Sequence, residues 1–338
     1  MGSIIFAPQT LTDSLSETAG YKSGLALSVT EMCDHLTGTD FPDILLASET
    51  HGARLRSEEY SGLFYKLLHR IGYTSEEFDG DYTGAKLYHK YKDTDPETWS
   101  GVTELFLNIW PKLTEEARAD GSNKIDPWPF VKAAYNKYGE VGANMAMERL
   151  EVIDRGLHMN PHFRHRYTEW NSQIALNALF SGSKTAPEVG RFIDQRYIDY
   201  LSVNSARLSD MHWRKFEELT GEFFHREGFQ VEMGPGTNDD GVDVRVWRPA
   251  QMVEESPHLL IQCKRQKAKV EKVVVKGLHA DVTHEAANYG LIVTTSELSP
   301  GARTTIAARG YSIEEVNRAG LEKWLQVLRT PGTGIIRV

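Results

Sequence analysis

The chain has 338 residues, 40% of them hydrophobic and 25% charged, with a formal net charge of −9; this composition excludes a disordered, collagen-like or low-complexity protein and leaves room for two domains. No apolar run reaches the roughly 18–20 residues of a membrane span. Two cysteines, Cys33 and Cys263, are too few for a disulfide framework or a four-cysteine zinc site. The first residues lack a basic segment ahead of a long apolar core, so no secretory leader is expected and the cytoplasm is the expected compartment.

In chain order, the N-terminal region reads as mainly helical. Leu63, Leu67 and Ile71 fall four apart within 58–71, and helical patterns continue over 103–113 and 129–152, where Met145, Ala146, Leu150 and Ile153 suit one buried face. The polar, glycine-containing stretch 79–84 predicts a loop, and a further helix is expected from Tyr167 to Phe180. Trp99, Trp110, Trp128 and Trp170 are expected in the core.

The pattern changes near Val203-Asn204-Ser205. Ser209 or Asp210 could cap a helix running to Phe224, with Trp213, Phe216, Leu219 and Phe223 on one side. Strands are then predicted over 229–233, 241–246 and 259–264, a helix over 271–285, a buried strand over 291–294, and a helix opened by Ser299-Pro300. A last strand at 311–316 and a last helix at 321–328 complete the order α-β-β-β-α-β-α-β-α. Such a series predicts an α/β domain whose sheet is covered on both faces. The expected division is a mainly helical domain at 1–204, the α/β domain at 205–330 and a short tail at 331–338.

Charge is distributed unevenly over these parts. Residues 205–338 contain 18 basic and 18 acidic side chains, so the whole excess of acid lies in 1–204. Within the neutral half, Lys264, Arg265, Lys267, Lys269, Lys272 and Lys276 fall within thirteen positions. A run of this kind is either a solvated face or a local attractor for phosphate.

Phosphodiester hydrolysis with a divalent ion needs oxygen ligands for the metal and a cation near the attacked phosphate. In Leu259-Leu260-Ile261-Gln262-Cys263-Lys264, strand alternation puts Gln262 and Lys264 on one face, and Cys263 among apolar neighbours on the other. Asp243 stands beside them if its strand pairs with this one. Taken singly, Glu217 reads as a solvated charge, Asp243 as a strand-end turn former, and Gln262 and Lys264 as the polar face of an edge strand.

Taken together, five pieces occur in order: Phe216-Glu217-Glu218-Leu219, Gly228-Phe229-Gln230-Val231, Asp240-Gly241-Val242-Asp243, Gln262-Cys263-Lys264-Arg265 and Val293-Thr294-Thr295-Ser296. This series resembles the catalytic domain of Mrr-like restriction endonucleases, in the PD-(D/E)XK nuclease superfamily, and spans nearly all of 210–328. The resemblance implies a central mixed sheet flanked by helices and a metal-dependent DNA endonuclease, acting in restriction or antiphage defence on foreign or modified DNA. It implies Asp243 as the main metal carboxylate and Gln262, in place of the usual acid, as a ligand through its amide oxygen. Lys264 would orient water and stabilise the phosphorane charge, and Glu217 would complete the metal or water environment. Asp240 is a lesser candidate, and Mg²⁺ or Mn²⁺ suits such an all-oxygen ligand set. Arg265, Lys267, Lys269, Thr295 and Arg303 are candidate DNA contacts.

The winged-helix reader that accompanies many Mrr-like nucleases is not recognisable in 1–204, and the acidity of that region suits a sensor, an oligomerisation element or a docking site for an activator or partner protein. Cutting both strands usually takes two active sites, so a dimer or larger homo-oligomer is expected. Two other readings stand beside the nuclease. One is a nucleic-acid-binding module that has lost its chemistry. The other is an RNase acting through the N-terminal region, where Arg155 and His162 loosely resemble the metal-free motif of HEPN proteins.

Overall fold

The computed structural model describes residues 2–74, 77, 85–119, 125–161, 163–167, 169–183, 186–236 and 241–329. The loop expected over 79–84, the tail at 331–338, His162 and Asp240 lie outside them. The described residues form two compact units, one drawn from 1–56, 66–76 and 168–331, the other from 57–65 and 77–167.

The chain begins with β1 (Ser3–Phe6), α1 (Thr10–Ser23), β2 (Leu25–Ala26), α2 (Val29–His35), α3 (Phe41–Ser48), β3 (Ala53–Arg56) and α4 (Ser57–Arg70). β1 pairs antiparallel with β3. Leu63, Leu67 and Ile71 are buried, as their spacing predicts. Next come α5 (Ala85–Tyr91), α6 (Pro96–Ala119) and α7 (Trp128–Met159). Trp99, Val102, Phe130, Ala134, Met145, Ala146 and Leu150 make the core between them. Of the tryptophans expected inside, Trp99 is buried, Trp110 packs at the edge of that core, and Trp128 is exposed.

The helix expected from Tyr167 to Phe180 is not formed. The segment instead runs through β4 (Ile174–Ala175) into the short α8 (Ala178–Ser181), and β4 pairs parallel with β2. Its backbone groups are claimed from elsewhere in the chain. Glu188 accepts the N–H groups of Asn171 (2.6 Å) and Ser172 (3.1 Å), and Arg196 Nη1 donates to the carbonyl of Ser172 at 2.6 Å. A residue bonded outward in this way cannot also join a helical ladder.

After α9 (Gln195–Val203) and a 3₁₀ turn (Ser205–Ser209), the expected α/β series follows. It comprises α10 (Trp213–Arg226), β5 (Gln230–Met233), β6 (Val244–Trp247), β7 (Leu259–Lys264), α11 (Lys272–His284), β8 (Tyr289–Thr294), α12 (Pro300–Arg309), β9 (Ile313–Val316) and α13 (Arg318–Leu328). The five strands lie in the order β5-β6-β7-β8-β9, antiparallel from β5 to β7 and parallel from β7 to β9. This is the mixed, helix-flanked sheet that the resemblance implies. Strand alternation sends Leu260 and Ile292 to one face, where Val275, Leu278 and Val282 of α11 and Ala302 of α12 meet them. α10 covers β5 to β7 on the other face, and α13 packs on β9 and α10, with Trp324 stacked on Phe223 at 3.9 Å.

Two details of α10 differ from the sequence reading. His212 caps the helix, its Nδ1 accepting from the N–H of Arg214 at 3.2 Å, because Ser205–Ser209 is taken up by the 3₁₀ turn. Trp213, placed by its spacing on the buried side, is 40% exposed, since it is the first residue of the helix.

The core face against α11 fixes the sheet, so truncating it is expected to be costly. Leu278→Ala should lower unfolding stability by about 2–5 kcal/mol. Val327→Ala, at an exposed position of α13, should stay within about 0.5 kcal/mol. Urea unfolding of the two variants checks both values.

Candidate active site

The end of β7 gathers most of the chemistry. Its register with β8 pairs Gln262 with Ile292, Cys263 with Val293 and Lys264 with Thr294, so the strand stays rigid up to its last residue. Asp243 immediately precedes β6. Its N–H donates to the carbonyl of Ile261 at 2.9 Å, and its Oδ2 accepts the N–H of Cys263 at 2.6 Å. The residue is thereby held against the β7 backbone through both its main chain and its carboxyl group.

Glu217 reaches the same place from α10. Phe216 and Leu219 anchor that helix in the core, which turns Glu217 inward until it too is buried. Its carboxyl group shares a hydrogen bond with that of Asp243, and Arg214 Nη1 donates to its Oε2 at 2.9 Å. Burial first, and then the negative charge of Asp243, push the Glu217 pKa up to about 8, against the opposing pull of Arg214. Burying the two carboxyl groups together thus favours a proton shared between them.

Gln262 is only 9% exposed, and its Oε1 is buried without a hydrogen-bond partner among the described residues. Its amide nitrogen lies over Gly241, where an added Cβ would sit 2.7 Å away; the positive φ of 92° at that residue also favours glycine. A buried acceptor without a donor costs about 1–3 kcal/mol unless something positive meets it. Lys264, half-buried at the end of the strand, makes no side-chain hydrogen bond or ion pair among the described residues. Cys263 lies between them and faces α10, its thiol donating to Thr220 Oγ1 at 3.5 Å. Burial and the neighbouring carboxylates raise its pKa well above the usual thiol value, which favours the neutral thiol.

Among the described residues no three His, Cys, Asp or Glu side chains are grouped to hold a metal. The carboxyl groups of Asp243 and Glu217 meet, and Gln262 stands next along β7 to the residue that binds Asp243. Its amide oxygen, without a partner among the described residues, is of the kind a hard divalent cation takes as ligand.

The five DNA-contact candidates separate on their bonding. Lys269 pairs with Glu297 at 2.7 Å, and Arg303 pairs with Glu297 at 3.3 Å and Glu315 at 3.1 Å. Arg265 Nη1 donates to the carbonyl of Ser209 at 3.0 Å. Thr295 is buried, its hydroxyl accepting from the N–H of Gln266 and donating to that residue's carbonyl, both at 3.0 Å. It ties down the loop after β7 and does not face solvent. Lys267 is exposed, and its ammonium has no partner among the described residues. Arg214 was not singled out by its sequence context; the only signal is its place three residues before Glu217, on the same helix face.

Residues 208–325 match the model of a family described as restriction endonuclease, Mrr catalytic domain. No functionally curated protein matches the chain. Among solved structures, the MspJI restriction endonuclease in complex with a 27-mer oligonucleotide matches at 16% identity and a TM-score of 0.29, over 58% of this chain and 40% of that one. This chain thus spans less than half the length of that protein. The segment 208–325 is a restriction-endonuclease domain of the Mrr type.

The buried carboxyl pair predicts a pH signature. The folded-state pKa of Glu217 lies above its ordinary value of 4.5, so the unfolded chain ionises first, and stability is lost as pH rises from about 4.5 towards about 8. Urea midpoints of the metal-free protein should fall across this window, and those of Glu217→Gln should fall less. Parallel profiles for the two proteins would contradict the assignment.

Proposed function

We propose that this protein hydrolyses phosphodiester bonds in DNA with a divalent cation, Mg²⁺ or Mn²⁺, held by Asp243, Gln262 and Glu217. The observation that carries the proposal is the buried Oε1 of Gln262, without a partner among the described residues, at the strand end that also holds Asp243. When bound, the cation supplies a Lewis acid for the phosphate and lowers the pKa of its water.

The protein's own groups do the rest. The Cys263 N–H fixes Asp243, so its carboxylate needs little rearrangement to act as a ligand. Glu217, deprotonated, adds a second carboxylate and can hold a water. Lys264 projects from the same strand as Gln262 an ammonium without a partner among the described residues, and it balances charge developing on the attacked phosphate. Lys267, three residues on, offers a further cation to the DNA backbone. Lys269 and Arg303, neutralised by Glu297 and Glu315, contribute less.

Cutting both strands brings two such sites together, so the active form is a homodimer or a larger homo-oligomer. A nuclease of this kind in the cytoplasm serves restriction or antiphage defence, with the acidic N-terminal region receiving an activator or partner protein.

Plasmid DNA should be cut with Mg²⁺ and spared with EDTA, and Asp243→Ala and Lys264→Ala should each lower the rate on the order of 10²-fold or more. Unchanged cleavage by both variants would overturn the site, and metal-independent cleavage of RNA would point to the N-terminal region instead. Lys267→Ala should raise KM for DNA and reduce the salt slope by about 1. Lys269→Ala should leave both near their original values.

A further inference from the structure

We propose that Arg214 is a positioning residue that holds the Glu217 carboxylate in place for the divalent cation; this rests on the metal-centre reading above. One guanidinium nitrogen, Nη1, donates to Glu217 Oε2 at 2.9 Å and to the carbonyl of Gly234 at 2.8 Å. The N–H of Gly234 in turn donates to the carbonyl of Asp243 at 2.8 Å. These bonds close a circuit from the helix that carries Glu217 to the residue that carries the other carboxyl group. Glycine at 234 is what permits the approach, since an added Cβ would lie 2.8 Å from the carbonyl oxygen of Val242 and 3.1 Å from that of Asp243.

The circuit matters because the two carboxyl groups repel each other once both are ionised. Glu217 has an opposite charge in direct contact, and that charge is tied to the loop beside Asp243. Arg214 therefore keeps Glu217 from swinging away when the cation takes the place of the shared proton. Its side chain is 31% exposed against 7% for Glu217, so it stands at the rim while the group it orients stays inside. A single nitrogen makes both bonds, so the contact is a point contact that a lysine ammonium can reproduce, unlike a two-pronged arginine clamp.

The test is Mn²⁺ affinity by calorimetry, with cleavage kinetics alongside, on the full chain. Arg214→Ala should raise the Mn²⁺ dissociation constant about 10-fold, within the range seen when groups orienting metal ligands are removed. It should lower kcat and leave KM for DNA unchanged. Arg214→Lys should recover most of both losses. In a Glu217→Gln background, adding Arg214→Ala should weaken Mn²⁺ binding no further. Circular dichroism and urea midpoints establish that each variant is folded. Unchanged Mn²⁺ affinity in Arg214→Ala overturns the inference, as does a rise in KM alone, which would make Arg214 a phosphate contact. A folded lysine variant no better than alanine also overturns it. Wild-type protein that neither binds Mn²⁺ nor cuts DNA would instead bring down the metal-centre reading itself.

Discussion

Two carboxyl groups are buried against each other where β6 and β7 part, and much of the local design follows from making that arrangement tolerable. Like charges taken out of water and set in contact cannot both ionise without help. The help present in the protein alone is a proton, the guanidinium of Arg214, and a backbone N–H from Cys263. Under the metal-centre proposal, a divalent cation would relieve the same repulsion. The position of α10, set by Phe216 and Leu219 in the core, is what makes the two groups meet.

Gln262 adds to this pair without adding charge. A third carboxylate would raise the repulsion further, whereas an amide offers an oxygen ligand and remains neutral. Its amide nitrogen is seated over Gly241, and its oxygen has no donor among the described residues. Cys263, the residue between the amide and the lysine, packs towards Thr220, and burial raises its thiol pKa.

The order of elements in the restriction-endonuclease domain was legible because each strand and helix carries its own period. Leu259–Lys264 alternates, and Val274, Leu278 and Val282 recur four apart, although the structure buries Val275 more deeply than Val274. What could not be read were relations between residues far apart in the chain. Lys269 and Arg303 look like free cations until Glu297 and Glu315 are brought beside them. Thr295 looks available until Gln266 is found to engage its hydroxyl. The non-helical path of 169–177 depends on Glu188, Arg196 and β2, none of which is signalled locally. Trp213 misled for the opposite reason: its spacing fits the apolar face, but the helix begins there and the core does not extend under it.

The same compact unit that holds the five-stranded sheet also includes residues from 1–56 and 66–76. The end of α13 is fastened there: Arg329 Nη2 donates to the carbonyl of Gly72 at 3.0 Å, and Gln195 Nε2 donates to that of Leu328, also at 3.0 Å. The end of α13 is thus held by residues that lie outside the matched segment 208–325. The most direct test of the central claim is a crystal soaked with Mn²⁺ and measured at a wavelength that reports its anomalous scattering. The account predicts a peak in contact with Gln262 Oε1 and the Asp243 carboxylate. A fully loaded crystal with no peak there, and Gln262 still without a partner, would contradict it.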